Sequence, residues 1–320
     1  MIVASVSCIA QSSTNLDHPK TGLIKPGNLA TQARQVNAQA ATLARVTRIA
    51  TQVQAAPPFC SPTQSAADFR GLGFVSPVKD QGTCGACWAF GTNAVLESSY
   101  LSRAKLLVNA SEQELISCSS AALASGGCDG GWWAFDFART PGVESSSRLP
   151  YQAASMKCPG QITTDFHIIE WGYVDPVGDI PADDQLKAAL CQHGPLAVGI
   201  NATLNFTNFF RSHHAESDVY SESNEGAINH AVELVGWDND KKAWLIKNSW
   251  GTGFGIAGFM WVHYGDLHIG DGAAWAEVQP VVTINTKTFT DLQRADVQTN
   301  KGRDFQLTIP AASEITVKPQ

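Results

Sequence analysis

The sequence is poor in charged residues and contains no long apolar run. Charged side chains make up 16% of the 320 residues and hydrophobic ones 44%, a balance that excludes a wholly disordered chain. No segment approaches the roughly eighteen consecutive apolar residues that a membrane-spanning helix needs. We therefore predict an ordered protein without a membrane span.

The net charge of −7 is unevenly distributed along the chain. Residues 1–60 carry five basic side chains and one acidic one, a net of +4, which leaves −11 for the remainder. An acidic body does not favour nucleic acid or an anionic membrane as the main partner, and we predict neither.

Eight cysteines are many for a cytosolic enzyme of this size and indicate an oxidising compartment, secreted or lysosome-like. Two of them, Cys84 and Cys87, form a C-x-x-C pair within the segment QGTCGACWAF. The pair can be interpreted as a zinc site, as a redox dithiol, or as a nucleophile beside a structural cysteine.

The zinc and dithiol interpretations lack the sequence context that each one needs. A structural zinc site requires a second paired set of Cys or His, whereas Cys118 and Cys128 are ten residues apart. A thioredoxin-like dithiol would close a strand of a compact βαβ unit, and that pattern does not surround Cys84. We predict no metal site; the dithiol remains an alternative that requires a free Cys84.

A nucleophilic cysteine is reactive only as the thiolate, so it needs a nearby base and a favourable electrostatic position. The sequence allows a helix over residues 87–101, and the dipole of a helix that begins at Cys87 favours the charged sulfur. The base must come from another part of the chain.

A predicted hairpin supplies the base. Two apolar segments, HAVELVGW and AWLIKNSW, flank a polar turn at Asp238–Asp240. In that register His230 faces Asn248, whose amide would orient the imidazole. Trp250, two residues further on, would border the site and shield this bond from water.

Four motifs in order resemble those of papain-family cysteine peptidases. They are QGTCGACWAF, CDGG, NHAV and KNSWG, and they lie between residue 68 and about residue 275. The resemblance implies an α+β, two-lobed fold with the active site in the cleft between the lobes. The mostly helical lobe is expected at about 80–160 and the β-rich lobe at about 161–280.

The resemblance also implies a role for each residue at a matching position. Cys87 is the nucleophile, His230 its base and later general acid, and Asn248 orients His230. Gln81 and the Cys87 backbone N–H donate to the oxyanion. The implied protein is a monomeric endopeptidase that acts on peptides or proteins through an acyl-enzyme and needs no cofactor. A non-catalytic binding protein on the same scaffold is the alternative, although it would normally have lost one of these residues.

The resemblance pairs two sets of cysteines as disulfides: Cys84 with Cys128, and Cys118 with Cys158. With Cys87 set aside seven cysteines remain, so at least one is free or bonded to another chain. Cys191 is our candidate, because it lies in a helix-like run where a free cysteine is a small buried apolar residue. Cys8 and Cys60 can then pair with each other.

A substrate peptide is expected to extend across the cleft, where Gly130 and Gly131 let its backbone approach closely. The pocket for P2, the second substrate residue before the cut, would be lined by Trp132, Trp133, Gly199, Ile228 and Ala231. These residues are apolar, so we expect an apolar or aromatic preference at P2. Trp132 and Trp133 can equally pack the domain interior.

The chain divides into a leader at residues 1–65, a peptidase domain at 66–280 and a C-terminal extension at 281–320 with two short strands, FQLTIP and EITV. The leader contains a predicted helix at about 28–54. It stands in the place of an inhibitory prosegment, so we expect a zymogen whose basic leader docks on the acidic body and loosens as carboxylates protonate in acid. An unstructured leader is the alternative.

Overall fold

A computed structural model describes residues 20–51, 58–119, 126–160, 164–223, 226–279, 298–299 and 305–306. Cys8 and the predicted strand EITV lie outside the described residues. Within those ranges, no helix is long and apolar enough to cross a membrane.

The described part of the leader packs against the body. Helix α1 spans Leu29–Thr51, and Leu29 and Ala33 are buried on its inner face. The Asn37 amide pairs with the backbone of Tyr173, accepting from its N–H at 2.8 Å and donating to its carbonyl at 3.1 Å. The alternative of an unstructured leader is therefore wrong for residues 20–51.

The first half of the body is mostly helical. Its helices are α2 (Cys87–Ser99, followed by a π-helical turn at Tyr100–Ala104), α3 (Glu112–Cys118) and α4 (Phe135–Arg139). The predicted cap of α3 is confirmed, since the Ser111 hydroxyl accepts the Glu114 N–H at 3.1 Å. Nearly every residue of α2 is buried, because the helix lies between α3 and the sheet of the second half.

The second half contains two helices and seven strands of one eight-stranded sheet, whose other strand, Ala66–Asp68, comes from the start of the body. The strands are β1 (Ala66–Asp68), β2 (Glu170–Tyr173), β3 (Leu196–Ile200), β4 (Val219–Tyr220), β5 (His230–Asp238), β6 (Ala243–Lys247), β7 (Phe259–His263) and β8 (Asp271–Glu277). Their order is β2-β8-β3-β5-β6-β7-β4, with β1 also paired to β5. Helices α5 (Asp183–His193) and α6 (Leu204–Phe210) complete this half. The architecture confirms the predicted α+β fold.

Two short strands of the C-terminal extension pair with each other. They are β9 (Gln298–Thr299) and β10 (Phe305–Gln306), and they are antiparallel. The second of them is the start of the predicted strand FQLTIP.

The predicted register of the β5–β6 hairpin was wrong. Asp238 still belongs to β5 and pairs with Ala243, so the turn comprises residues 239–242. The register also shifts between Leu234 and Gly236. Both effects come from backbone geometry at the turn and the bulge, which the alternation of apolar residues does not encode.

A third disulfide joins Cys60 to Cys191 and corrects two predictions. Cys191 is not free, and Cys60 does not pair with Cys8. The Phe59 N–H donates to the Cys191 carbonyl at 2.7 Å, so the segment before β1 runs along α5. The partners are 131 residues apart, and only the folded chain brings them together. Among the described cysteines, Cys87 alone is free.

A buried ion pair connects α2 to the hairpin. Lys247 Nζ lies 3.1 Å from Glu233 Oε2, and the two side chains are 5% and 1% exposed. Ser98 of α2 donates to Glu233 Oε1 at 2.6 Å, and Lys247 also donates to the Ser76 hydroxyl at 2.9 Å. Because each charge has a second hydrogen-bond partner, the network offsets the desolvation of both groups.

Replacing Lys247 by Met is expected to lower the free energy of unfolding by about 3–5 kcal/mol, because Glu233 would stay buried without its counter-ion. Urea unfolding measures this change. Lys241→Met is the matched control: Lys241 lies 3.6 Å from Asp238 in a more exposed pair, which should contribute about 1 kcal/mol or less. Equal losses in the two variants would contradict a structural role for the buried pair.

Candidate active site

Cys87 is the first residue of α2 and is completely buried. Burial raises the pKa of its thiol to about 11, because an apolar environment disfavours the charged form. Backbone hydrogen bonds from Ala231, Gly22 and Trp88 act in the opposite direction. Burial in this state thus favours the neutral thiol, and Gly22, one of the residues that cover it, belongs to the leader.

His230, Asn248 and Trp250 form one buried group. His230 Nε2 lies 2.8 Å from Asn248 Oδ1, which also accepts the Ser249 N–H at 2.7 Å. Since Oδ1 is an acceptor, His230 carries its proton on Nε2, and Nδ1 is the basic nitrogen of the neutral ring. The Trp250 ring stacks on the imidazole with the centroids 4.5 Å apart.

The contact between His230 and Asn248 arises differently from the predicted cross-strand pairing. Glu233 faces Lys247 in the observed ladder. Extending that register by three positions puts Trp250, rather than Asn248, across from His230. The Asn248 side chain thus reaches the ring diagonally, while Trp250 covers its face.

Gln81 is fully buried, and hydrogen bonds hold both ends of its amide. Its Oε1 accepts from the Ser249 hydroxyl at 2.7 Å, which fixes the direction of the NH2 group. Nε2 donates to the carbonyls of Cys84 at 2.9 Å and of Lys20 at 2.8 Å. The predicted oxyanion donor therefore binds a leader carbonyl. Sequence reasoning missed Ser249, although it lies within the KNSWG motif.

Two disulfides hold the first half of the body: Cys84 with Cys128, and Cys118 with Cys158. The first ties the CDGG segment to the loop before α2, where the Gly85 N–H donates to the Cys128 carbonyl at 2.9 Å. Because Cys84 is bridged, the dithiol alternative is wrong. Among the residues that the structure describes, no group of three or more His, Cys, Asp or Glu could hold a metal ion.

The leader runs beside the CDGG segment, where Leu23 and Gly131 form a parallel β-bridge. The Gly131 N–H donates to the Gly22 carbonyl at 2.8 Å, and the Gly131 carbonyl accepts the Ile24 N–H at 2.9 Å. Leu23, between them, donates its N–H to the Asn229 carbonyl at 2.9 Å. Gly130 has a φ of +125°, a conformation that side chains rarely adopt.

The Leu23 side chain is buried in a pocket where Gly199 leaves room for it. A Cβ at Gly199 would lie 3.0 Å from Leu23 Cδ2 and 2.7 Å from Ile228 Cδ1. Gly199 and Ile228, which were predicted to line the P2 pocket, thus meet a leader leucine. Ala231 is buried beside His230.

Trp132 and Trp133 connect the CDGG segment to the sheet. The Trp133 indole donates to the Gly272 carbonyl at 2.8 Å, and the Trp132 indole donates to the Tyr173 hydroxyl at 2.9 Å. Both rings are buried, with centroids 4.8 Å apart. These contacts give both residues a packing role between the two halves.

The sequence matches a family described as papain family cysteine protease over residues 63–274. Cathepsin K of Gallus gallus is 37% identical over 213 residues, which are 64% of this chain and 60% of that protein. Procathepsin L of Mus musculus is 34% identical over 229 residues, 67% of this chain and 64% of that protein. The chain thus spans about 60% of the length of the curated relatives that it matches first.

Two solved plant proteases share the fold. A cysteine protease of Carica candamarcensis in complex with E-64 has a TM-score of 0.57 and 26% identity, with 68% of this chain and 99% of that chain covered. The bromelain protease of Ananas comosus in complex with the E64 inhibitor has a TM-score of 0.56 and 29% identity, with 68% and 100% covered. With the family match over 63–274 and the buried Cys, His and Asn in one fold, the chain belongs to the papain family of cysteine proteases.

Proposed function

We propose that this chain is a cysteine endopeptidase made as a zymogen. The observation that carries the proposal is the buried group of His230 and Asn248, joined at 2.8 Å, together with a free cysteine at the start of α2. Gln81 adds an amide donor that is already fixed by Ser249. The three disulfides support a secreted or lysosome-like compartment.

In the proposed reaction His230 Nδ1 takes the Cys87 proton, and the thiolate attacks the substrate carbonyl carbon. The carbonyl oxygen becomes an oxyanion that accepts hydrogen bonds from Gln81 Nε2 and the Cys87 N–H. The imidazolium then protonates the leaving amine, the C–N bond breaks and a thioester remains. His230 next deprotonates a water that attacks the thioester, which releases the acid and restores the thiol.

The leader acts as the inhibitor of the uncut chain. Its Lys20 carbonyl occupies the Gln81 donor, and the backbone of Gly22 covers the sulfur. The cleft therefore accepts a segment from within a longer chain, which favours an endopeptidase. Lys25 bonds Asp271 at 2.7 Å and thus provides one charge contact between the basic leader and the acidic body.

Gly22→Ala in the full chain is expected to release the leader, because the new Cβ would lie 2.0 Å from the Gly85 carbonyl oxygen. The thiol would then leave the environment that raises its pKa to about 11, and it would react at lower pH. We expect iodoacetamide to label Cys87 at pH 7 at least about tenfold faster than in the parent chain, measured by peptide mass spectrometry.

Gly27→Ala is the matched control for this variant, since no atom lies within 4 Å of a Cβ at that position. The parent chain and Gly27→Ala should label only as the pH approaches the raised pKa. Labelling of the parent at pH 7 as fast as that of the urea-unfolded chain would refute inhibition by the leader.

Hydrolysis of a fluorogenic peptide with Leu at P2 tests the activity itself, in the Gly22→Ala chain. His230→Ala is expected to lower kcat/KM by about 10⁴-fold or more, because the base and general acid are lost together. A circular dichroism spectrum and a cooperative urea transition like those of the Gly22→Ala chain would show that the variant is folded. Hydrolysis that persists in both His230→Ala and Cys87→Ala would eliminate the proposed chemistry.

An apolar P2 preference is proposed because Leu23 already occupies the pocket at Gly199. In the Gly22→Ala chain, Gly199→Ala should reduce kcat/KM for a peptide with Leu at P2 by about tenfold, since a methyl would intrude on the leucine position. The same change should affect a peptide with Ala at P2 much less. A library randomised at P2 that shows no apolar enrichment would contradict the assignment of this pocket.

A further inference from the structure

Asp271, the first residue of β8, carries a carboxylate that the leader covers. Its side chain is 12% exposed, and Oδ1 lies 2.7 Å from Lys25 Nζ. Among the residues that the structure describes, Lys25 is the one side-chain hydrogen-bond partner of Asp271. Asp179 is a second acidic group near the same ammonium, at 3.6 Å, but its side chain is 71% exposed.

Asp271 lies next to the pocket that holds Leu23, because it pairs with Gly199 between β3 and β8. A Cβ at Gly199 would lie 3.0 Å from the Asp271 carbonyl oxygen and 3.0 Å from Leu23 Cδ2. Leu23 and Lys25 are two residues apart, and their side chains reach Gly199 and Asp271, which pair between β3 and β8, so both leave the backbone on the same face. Gly22 lies over the sulfur, which makes Lys25 the more distant of the two from Cys87.

These positions can be translated into substrate positions. A residue beside Gly131 whose side chain enters the Gly199 pocket corresponds to P2, and the residue toward the sulfur corresponds to P1. Lys25 lies two residues beyond Leu23 in the direction away from the sulfur, so its place corresponds to P4. The side chains at P4 and P2 leave an extended substrate on the same face. This assignment depends on position along the cleft and not on the direction of the leader backbone.

We propose that Asp271 is a specificity-determining residue that selects a cationic side chain, Lys or Arg, at P4 of the substrate. The inference rests on the proposed function. Release of the leader leaves the Asp271 carboxylate without its ion-pair partner, and a substrate that fills the cleft would cover that carboxylate again. A substrate cation at P4 would restore that hydrogen-bonded pair, whereas a neutral side chain of the same length would not.

Peptide binding tests the proposal without depending on catalysis. The full chain with Gly22→Ala and Cys87→Ala would be titrated with fluorescent peptides that have Leu at P2 and either Lys, acetyl-lysine or norleucine at P4. We expect Lys to bind about five- to tenfold more tightly than either neutral residue. Raising the salt concentration should reduce this difference only in part, because the pair is mostly out of water.

Two substitutions locate the effect within the site. Asp271→Asn has almost the same shape and is expected to remove the preference for Lys. Asp179→Asn is expected to keep most of it, because that carboxylate is exposed and screened. Since the acetyl-lysine comparison changes only the ligand, it still tests the proposal if Asp271→Asn does not fold.

Equal binding of the three peptides, or no binding of any of them, would overturn the proposal. The contact between Lys25 and Asp271 would then serve only to hold the leader in place. A preference that survives Asp271→Asn but disappears in Asp179→Asn would also overturn it. Hydrolysis in the chain that keeps Cys87 is measured separately. A charge-dependent binding preference without hydrolysis would refute the peptidase and leave the P4 subsite standing.

Discussion

Glu233 and Lys247 meet out of water at the junction of the two halves, and the geometry of the site depends on this pair. Glu233 follows His230 in β5, and Lys247 immediately precedes Asn248. The Ser98 hydroxyl extends the network to α2, the helix that begins at Cys87. One satisfied polar network therefore holds together the elements that carry or adjoin Cys87, His230 and Asn248. A half-satisfied network would be unfavourable at this depth, so the two halves have one preferred arrangement.

The leader contacts the residues that the proposed function assigns to substrate binding. Gly131 gives it backbone hydrogen bonds, the Gln81 amide binds one of its carbonyls, and the Gly199 pocket takes its leucine. Covering the cleft in this way also removes the Cys87 thiol from water, and this burial raises its pKa. The same burial therefore fills the cleft and disfavours the thiolate.

The β5–β6 hairpin brings His230 and Asn248 together as predicted, but not through the predicted cross-strand pairing. Alternating apolar residues correctly indicated two adjacent strands with His230 and Asn248 near each other. The turn and the bulge shift the register, so His230 and Asn248 are not directly opposite each other, and Trp250 stacks on the imidazole while the Asn248 amide bonds its Nε2. A residue pattern of period two specifies which face a side chain occupies, but hydrogen bonds at the turn decide which residues face each other.

By itself, the sequence determined which functional groups to look for: a cysteine at a helix start, a histidine on one strand, an asparagine just after the next strand, and a glutamine near the cysteine. Local residue types and short motifs carry this information, because each role needs a particular functional group. Only the tertiary structure decided the bond between Cys60 and Cys191, the position of Leu23 in the cleft, and the meeting of Lys25 with Asp271, 246 residues away. Such contacts depend on how distant surfaces fit and which buried charges find a partner, and no local pattern in the chain records either.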